Sequence, residues 1–141
     1  MTTVNYEYYV SLEVAKLLKE AGFDWECSKI YYCYHEDGDT WKLEDNYRNY
    51  RSILGLGRCL PAPTLEVAQR WLREIKGVHM CVKADAASIN CKYFVTVVVG
   101  DTKWGNVQSE NKKTILLFNT YEEAQEAGIK KVVEMILEKG E

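Results

Sequence analysis

The chain has 141 residues and a net charge of -3; 47% of its residues are apolar and 28% are charged. A folded chain of this length buries roughly two-thirds of its surface, so it needs neither a metal nor a disulfide for stability. The composition excludes an intrinsically disordered protein, and the mildly acidic charge disfavours non-specific binding to nucleic acid.

The amino terminus and the cysteines indicate a cellular compartment. The start, MTTVNYEYYV, lacks a basic region followed by a long apolar run, and no apolar stretch of the sequence is long enough to span a membrane. The five cysteines are odd in number and form no CxxC pair, as is typical where thiols stay reduced. We therefore expect a cytoplasmic protein without membrane contact.

The first predicted elements are a strand and a helix. The strand is expected over Tyr6 to Val10, and the helix begins at Ser11, whose hydroxyl can accept a hydrogen bond from a backbone N–H. Gly22 suits a left-handed cap at the end of the helix. Helical spacing predicts a buried face formed by Val14, Leu17, Leu18 and Ala21.

Two strands and an irregular stretch follow. The strands are predicted over Lys29 to His35 and Thr40 to Leu43, joined by a hairpin turn at Asp37-Gly38-Asp39. The stretch Asn46 to Pro63 is irregular, but its tyrosine, isoleucine and leucine content indicates that it packs. We therefore expect a single domain over 1–141, with a sub-domain boundary near 58–63 as the alternative.

A second helix and a one-sided strand come next. The helix opens at Thr64 and ends near Gly77. The strand Val78 to Lys83 alternates apolar with more polar residues, which is typical of an edge strand with one buried face. The apolar positions of the helix are Leu65, Ala68, Leu72 and Ile75.

Two further predicted strands carry apolar residues on both faces. Lys92 to Val99 and Thr114 to Asn119 are predicted to be strands, and their apolar cores, Tyr93 to Val99 and Ile115 to Phe118, favour central positions in a sheet. The polar loop Gly100 to Lys113 between them is either a mobile tip or a binding loop. Because helices cover one face of such a sheet, either the N-terminal half or a second copy of the chain should cover the other.

The third helix has the strongest start signal of the sequence. Thr120 and Glu123 form a capping box, in which each side chain satisfies a backbone N–H of the other residue. Gly128 within this helix indicates either a close approach of the helix to the sheet or a position at which the helix simply tolerates glycine. The predicted class is α+β: a largely antiparallel sheet of about five to six strands packed by three amphipathic helices.

Candidate catalytic and metal-binding residues are few. Cys33 and His35 share one strand face, as do His79 and Cys81, so a zinc site would require these two strands to adjoin. The linear spacing resembles no zinc signature, and no cysteine is predicted at a helix N-terminus that would lower its pKa. We predict no metal, no cofactor and no catalytic residues, which favours a non-enzyme.

Candidate interaction residues lie mainly in the irregular segments. The run Asn46 to Arg51 alternates tyrosine and arginine, which suits either a packed loop or contact with single-stranded nucleic acid or an acidic peptide. Trp71 either completes the core or forms an interface anchor together with a neighbouring arginine. The full candidate interaction surface is Tyr47, Arg48, Tyr50, Arg51, Arg70, Trp71 and Trp104.

Three stretches together carry a family resemblance. They are YVSLEVAKLLKEAGF at 9–23, PAPTLEVAQRWLRE at 61–74 and TYEEAQEAGIKKVVEMIL at 120–137. They resemble a family of small uncharacterised proteins of phages and prophages of gut anaerobic bacteria. The resemblance implies a mobile-element setting in an infected bacterium, and it implies no activity, cofactor or catalytic residue.

Three hypotheses for the function remain open. The first is a non-enzymatic phage or prophage accessory protein that binds a protein partner or a second copy of itself as a homodimer. The second is a weak single-stranded nucleic-acid binder, whose affinity would fall steeply with salt. The third is an unrecognised enzyme, which would need a pocket joining His35 or His79 to a cysteine or carboxylate.

Overall fold

The computed structural model describes residues 8–33, 40–45, 58–86, 92–99, 102–106 and 116–139. Within these ranges the chain forms three helices and six strands. In chain order they are α1 (Leu12–Glu20), β1 (Lys29–Cys33), β2 (Trp41–Asp45), β3 (Arg58–Pro61), α2 (Leu65–Ile75), β4 (Val78–Asp85), β5 (Lys92–Val99), β6 (Thr102–Asn106) and α3 (Tyr121–Lys139).

The chain divides into two compact units, Met1–Thr64 and Leu65–Glu141. The division lies immediately after 58–63, the alternative boundary indicated by the sequence. The expectation of one domain over 1–141 stays a prediction.

The helix ends follow the predicted capping residues. Ser11 accepts a hydrogen bond from the Val14 N–H at 3.3 Å at the start of α1. Gly22 after α1 and Gly77 after α2 have φ values of +102° and +69°, in the left-handed region that favours glycine. These ends are local features, because each depends on residues close in the sequence.

The capping box of α3 is confirmed. The backbone N–H of Thr120 donates to Glu123 Oε1 at 3.2 Å, and the N–H of Glu123 donates to Thr120 Oγ1 at 3.1 Å. At 19 residues α3 is the longest helix among the described residues. Neither α3 nor any other helix in the described part of the chain has the length and apolar character needed to cross a membrane.

The buried faces of α1 and α2 differ from the prediction at their margins. Leu17 of α1 and Ala21, which directly follows α1, are only half-buried, and Ile75 of α2 is exposed. Ile75 is the last residue of α2, so its side chain lies where the helix ends. The residues that are buried are Val14, Ala15 and Leu18 in α1, and Leu65, Ala68, Trp71 and Leu72 in α2.

The first unit contains an antiparallel sheet in the order β2-β1-β3. Tyr31 in the central strand lies opposite Leu43 of β2 and Leu60 of β3, so these three side chains share one face. The Tyr31 hydroxyl donates a hydrogen bond to the carbonyl of Val10 at 2.6 Å. This bond ties the segment before α1 to the sheet.

The second unit contains an antiparallel sheet in the order β4-β5-β6. As predicted, β4 is an edge strand with one buried face: Val78 and Met80 are buried, while His79 and Cys81 are exposed. The central position predicted for Lys92 to Val99 is also confirmed. The sequence also predicted that the N-terminal half or a second copy of the chain covers the sheet face opposite to α3, and this stays a prediction.

Helix α3 approaches this sheet closely at Gly128. A Cβ added to Gly128 would lie 2.7 Å from Met80 Cε and 2.9 Å from Val95 Cγ1. The sequence left two explanations for this glycine, a close approach to the sheet or tolerance of glycine in the helix, and the structure shows the close approach. Gly128 therefore allows α3 to pack directly on the side chains of β4 and β5.

The α+β class is confirmed, but the arrangement of strands is not the single sheet that was predicted. The described strands form two three-stranded sheets, each made of strands from one unit. The alternation of apolar and polar residues identifies a strand and its buried face, but it does not encode the partner with which the strand pairs.

Four strand predictions need correction. Within the described part of Tyr6 to Val10 and Thr114 to Asn119, only isolated bridges form, Tyr9 with Thr64 and Tyr93 with Phe118. Conversely, β3 lies in a stretch predicted to be irregular, and β6 lies in the predicted loop Gly100 to Lys113. Both additional strands pair with a well-predicted apolar strand, and this partner compensates for their weak strand propensity. The predicted turn at Asp37-Gly38-Asp39 lies outside the described residues.

Candidate functional site

The structure describes only part of the predicted interaction surface. Tyr47, Arg48, Tyr50 and Arg51 lie outside the described residues. The backbone of Trp104 belongs to β6, where the register with β5 shifts between Val97 and Val98. Trp104 is the additional residue of β6 at this β-bulge, since Gly105 and Lys103 lie opposite the two valines.

Arg70 and Trp71 occupy opposite environments on α2. Trp71 is 1% exposed, so of the two placements left open by the sequence the structure shows the core one, and its role as an interface anchor is not supported. Arg70 is exposed, and its Nε lies 2.6 Å from Glu74 Oε2 one helical turn later. Of these two residues, therefore, Arg70 is the one that lies at the surface.

An exposed apolar patch precedes and begins α3. It consists of Leu116, Leu117 and Tyr121, which are 38%, 46% and 40% exposed. The sequence predicted a central strand over Ile115 to Phe118, but in the described part of this segment only the isolated bridge of Phe118 with Tyr93 forms, so the central position is wrong. An apolar run without alternation fits a buried strand and a surface patch equally well, so the sequence could not separate them.

Contacts on both sides hold this patch in place. The N–H and carbonyl of Phe118 form hydrogen bonds of 2.8 and 2.9 Å with the backbone of Tyr93 in β5. The Tyr121 ring packs edge-on against the Tyr93 ring, with their centroids 6.1 Å apart. The patch is therefore fixed to the central strand rather than carried on a free loop.

A groove lies beside the patch, between α2 and the start of α3, and we refer to it as the α2–α3 groove. Its volume is about 430 Å³. Tyr121 belongs both to the patch and to the groove wall, so the two surfaces are continuous. The groove is lined by Glu66, Val67, Gln69, Arg70 and Arg73 of α2 and by Tyr121 and Gln125 of α3.

Two amide side chains in the groove are held by hydrogen bonds. Gln125 is 3% exposed, and its Nε2 donates to Gln69 Oε1 at 2.9 Å. Gln69 Nε2 in turn donates to the carbonyl of Met80 in β4 at 3.0 Å. Each amide group carries two N–H donors, so these two bonds leave donors for other partners.

The charges at the rim of the groove are unequal. Arg70 is paired with Glu74, whereas Arg73 forms no ion pair with any residue that the structure describes. Among the described residues, Glu66 is the only acidic one that lines the groove. Sequence reasoning missed Arg73 and both glutamines, because their importance depends on the approach of α2 to α3.

A second groove, which we call the α1 groove, lies in the first unit. It is lined by Trp41, Cys59 and Leu60 of the sheet and by Lys16, Lys19 and Glu20 of α1, and its volume is also about 430 Å³. The ammonium group of Lys16 lies 5.5 Å from the centre of the Trp41 ring. This contact is a cation–π interaction that covers part of the ring.

The structure gives two observations on the cysteine and metal hypotheses. Burial, with a smaller contribution from the negative charge of Glu26, raises the pKa of Cys27 to about 11, so its thiol is protonated at neutral pH. No three histidine, cysteine, aspartate or glutamate side chains of the described residues lie close enough to hold a metal ion. His35, which the zinc and enzyme hypotheses use, lies outside the described residues.

Comparison of the chain with protein-family models, with curated proteins and with solved structures found no match.

Proposed function

We propose that this protein is a non-enzymatic accessory protein of a phage or prophage, which binds a protein partner in the bacterial cytoplasm. The exposed apolar patch of Leu116, Leu117 and Tyr121 is the observation that carries the proposal. The sequence resemblance described above supports the mobile-element setting. The patch supports binding, because clustered apolar side chains on a surface are typical of interaction sites.

The geometry of the patch suits recognition. Its residues are anchored by the Phe118 bridge and the Tyr93 ring, so little conformational freedom would be lost when a partner binds. Tyrosine also combines a large apolar ring with a hydroxyl and is enriched at binding hot spots. A partner that covers the patch would remove apolar surface of all three residues from water.

The test compares two leucine substitutions of equal chemistry. Leu117→Asp places a charge in the patch, and Leu43→Asp makes the same change at a leucine of the first unit that is 40% exposed. Full burial of a leucine stabilises by roughly 1.5–3 kcal/mol, so the half-exposed Leu117 should contribute about 1 kcal/mol, and a buried aspartate adds a penalty. We expect the affinity for the partner to fall at least about ten-fold in Leu117→Asp.

Tagged wild-type protein and both variants would be used for affinity capture from a lysate of the host bacterium, after circular dichroism has shown equal folding. We expect a protein that wild type and Leu43→Asp retain and that Leu117→Asp loses. Size-exclusion chromatography with light scattering covers the case in which the partner is a second copy. The proposal is wrong if Leu117→Asp retains the same proteins and the same oligomeric state as wild type.

A further inference from the structure

We infer that the α2–α3 groove receives a carboxylate of the partner, carried by an aspartate or glutamate next to an apolar anchor. This inference rests on the proposed function, because the anchor is the part of the partner that would cover the apolar patch. The groove would then bind the carboxylate, while the patch binds the apolar anchor of the same partner segment.

The inner surface of the groove offers amide N–H donors to a ligand. The buried Gln125 amide is oriented by Gln69, and Gln69 is oriented by the carbonyl of Met80. Both side-chain nitrogens therefore have one hydrogen bond assigned within the protein and one N–H left over. A carboxylate can use these donors, but Gln125 Oε1 can also accept an N–H, so the choice of an anion depends on the charge at the rim.

The charge at the rim favours the same ligand. Arg73 is exposed and has no ion pair among the described residues, and Arg70 is held on the same wall by Glu74. A guanidinium group can bind a carboxylate through two parallel hydrogen bonds, so arginine selects this planar anion. Glu66 in the groove would repel a carboxylate, which places the binding position toward the Arg73 end of α2.

The start of α3 does not decide the matter by itself. The positive end of the helix dipole points toward Tyr121, but Glu122 and Glu123 lie in the first turn and offset it. Glu123 is further engaged in the capping box with Thr120. The preference for an acid therefore depends on Arg73, with the two amides as additional donors, and Arg73 is the residue to change.

The experiment is selection from a library of random displayed heptapeptides against four purified full-length proteins. They are wild type, Arg73→Glu, Leu117→Asp and the control Lys131→Glu, which makes the same change of charge at an exposed position of α3. Wild type and Lys131→Glu should enrich peptides with aspartate or glutamate beside a large apolar residue. Arg73→Glu should lose the acidic preference and keep the apolar one, and Leu117→Asp should lose the apolar preference.

The affinity of one enriched peptide, measured by fluorescence anisotropy, gives the magnitude. Arg73→Ala should bind it about ten-fold more weakly, the lower range for a hydrogen bond to a charged group. Enrichment of apolar peptides without acids, or equal acidic enrichment by Arg73→Glu, would overturn the inference and leave the proposed function standing. Failure of the wild type to enrich any peptide would also overturn the inference, whereas the proposed function is overturned only by the affinity-capture and light-scattering result described above.

Discussion

Helix propensity and the close contact of α3 with the sheet predict opposite effects of Gly128→Ala on the stability of the protein. Glycine within a helix is less favourable than alanine by about 1 kcal/mol, so Gly128→Ala would be stabilising on propensity alone. The methyl group would, however, lie 2.9 Å from Val95 Cγ1 and 2.7 Å from Met80 Cε. We expect Gly128→Ala to destabilise the protein.

The two neighbours differ in how easily they move. Met80 Cε is the end of a flexible side chain and can rotate away at little cost. Val95 is fully buried and β-branched, so its side chain has few other conformations. Overpacking of this kind costs about 1–3 kcal/mol, and subtraction of the propensity gain leaves a net loss of about 1 kcal/mol.

Urea unfolding followed by circular dichroism measures this loss as a lower midpoint at unchanged slope. The pair Lys131→Gly and Lys131→Ala, at an exposed position of the same helix, gives the propensity difference without the contact. On a Val95→Ala background the clash is removed, so Gly128→Ala should become stabilising there. The reasoning is wrong if Gly128→Ala stabilises the wild-type protein by the same free energy that separates Lys131→Ala from Lys131→Gly. The close approach would then have no effect on stability at position 128.

Two further predictions concern a thiol and an amide pair. Because the pKa of Cys27 is about 11 in the folded protein and its ordinary value is 9.0, the unfolded chain loses this proton first as the pH rises. The free energy of unfolding should therefore decline between about pH 9 and pH 11 in wild type relative to Cys27→Ala, and equal pH profiles would contradict the raised pKa. Gln69→Leu should cost about 1–3 kcal/mol in urea unfolding, because it leaves the buried Gln125 amide without its partner. The double variant Gln69→Leu, Gln125→Leu should cost less than the sum of the two single changes, and strict additivity would show that the amides are not coupled.

The helices could be predicted from the sequence because their signals are local. The hydrogen bonds that cap α1 and α3 join residues three positions apart, from Ser11 to Val14 and from Thr120 to Glu123. The glycines that end α1 and α2 need only their own backbone conformation. Such features depend on a few neighbouring residues, which a single sequence displays.

The candidate site could be predicted only in part, because exposure depends on packing. The sequence identified Arg70, which lines the groove, but it assigned Leu116 and Leu117 to a covered strand. It also left the environment of Trp71 open between core and interface. In each case the residue types fit either environment, and the neighbours that decide between them are distant in the chain.

The amino-acid sequence by itself therefore determined the helix boundaries, the α+β class and the one-sided character of β4, all of which follow from spacings of a few residues. Tertiary structure alone decided the division into two sheets, the surface position of the patch and the formation of the groove. The hydrogen bond between Gln69 and Gln125 joins residues 56 positions apart. No local pattern specifies such a contact, since it exists only once α2 and α3 have packed on the same sheet.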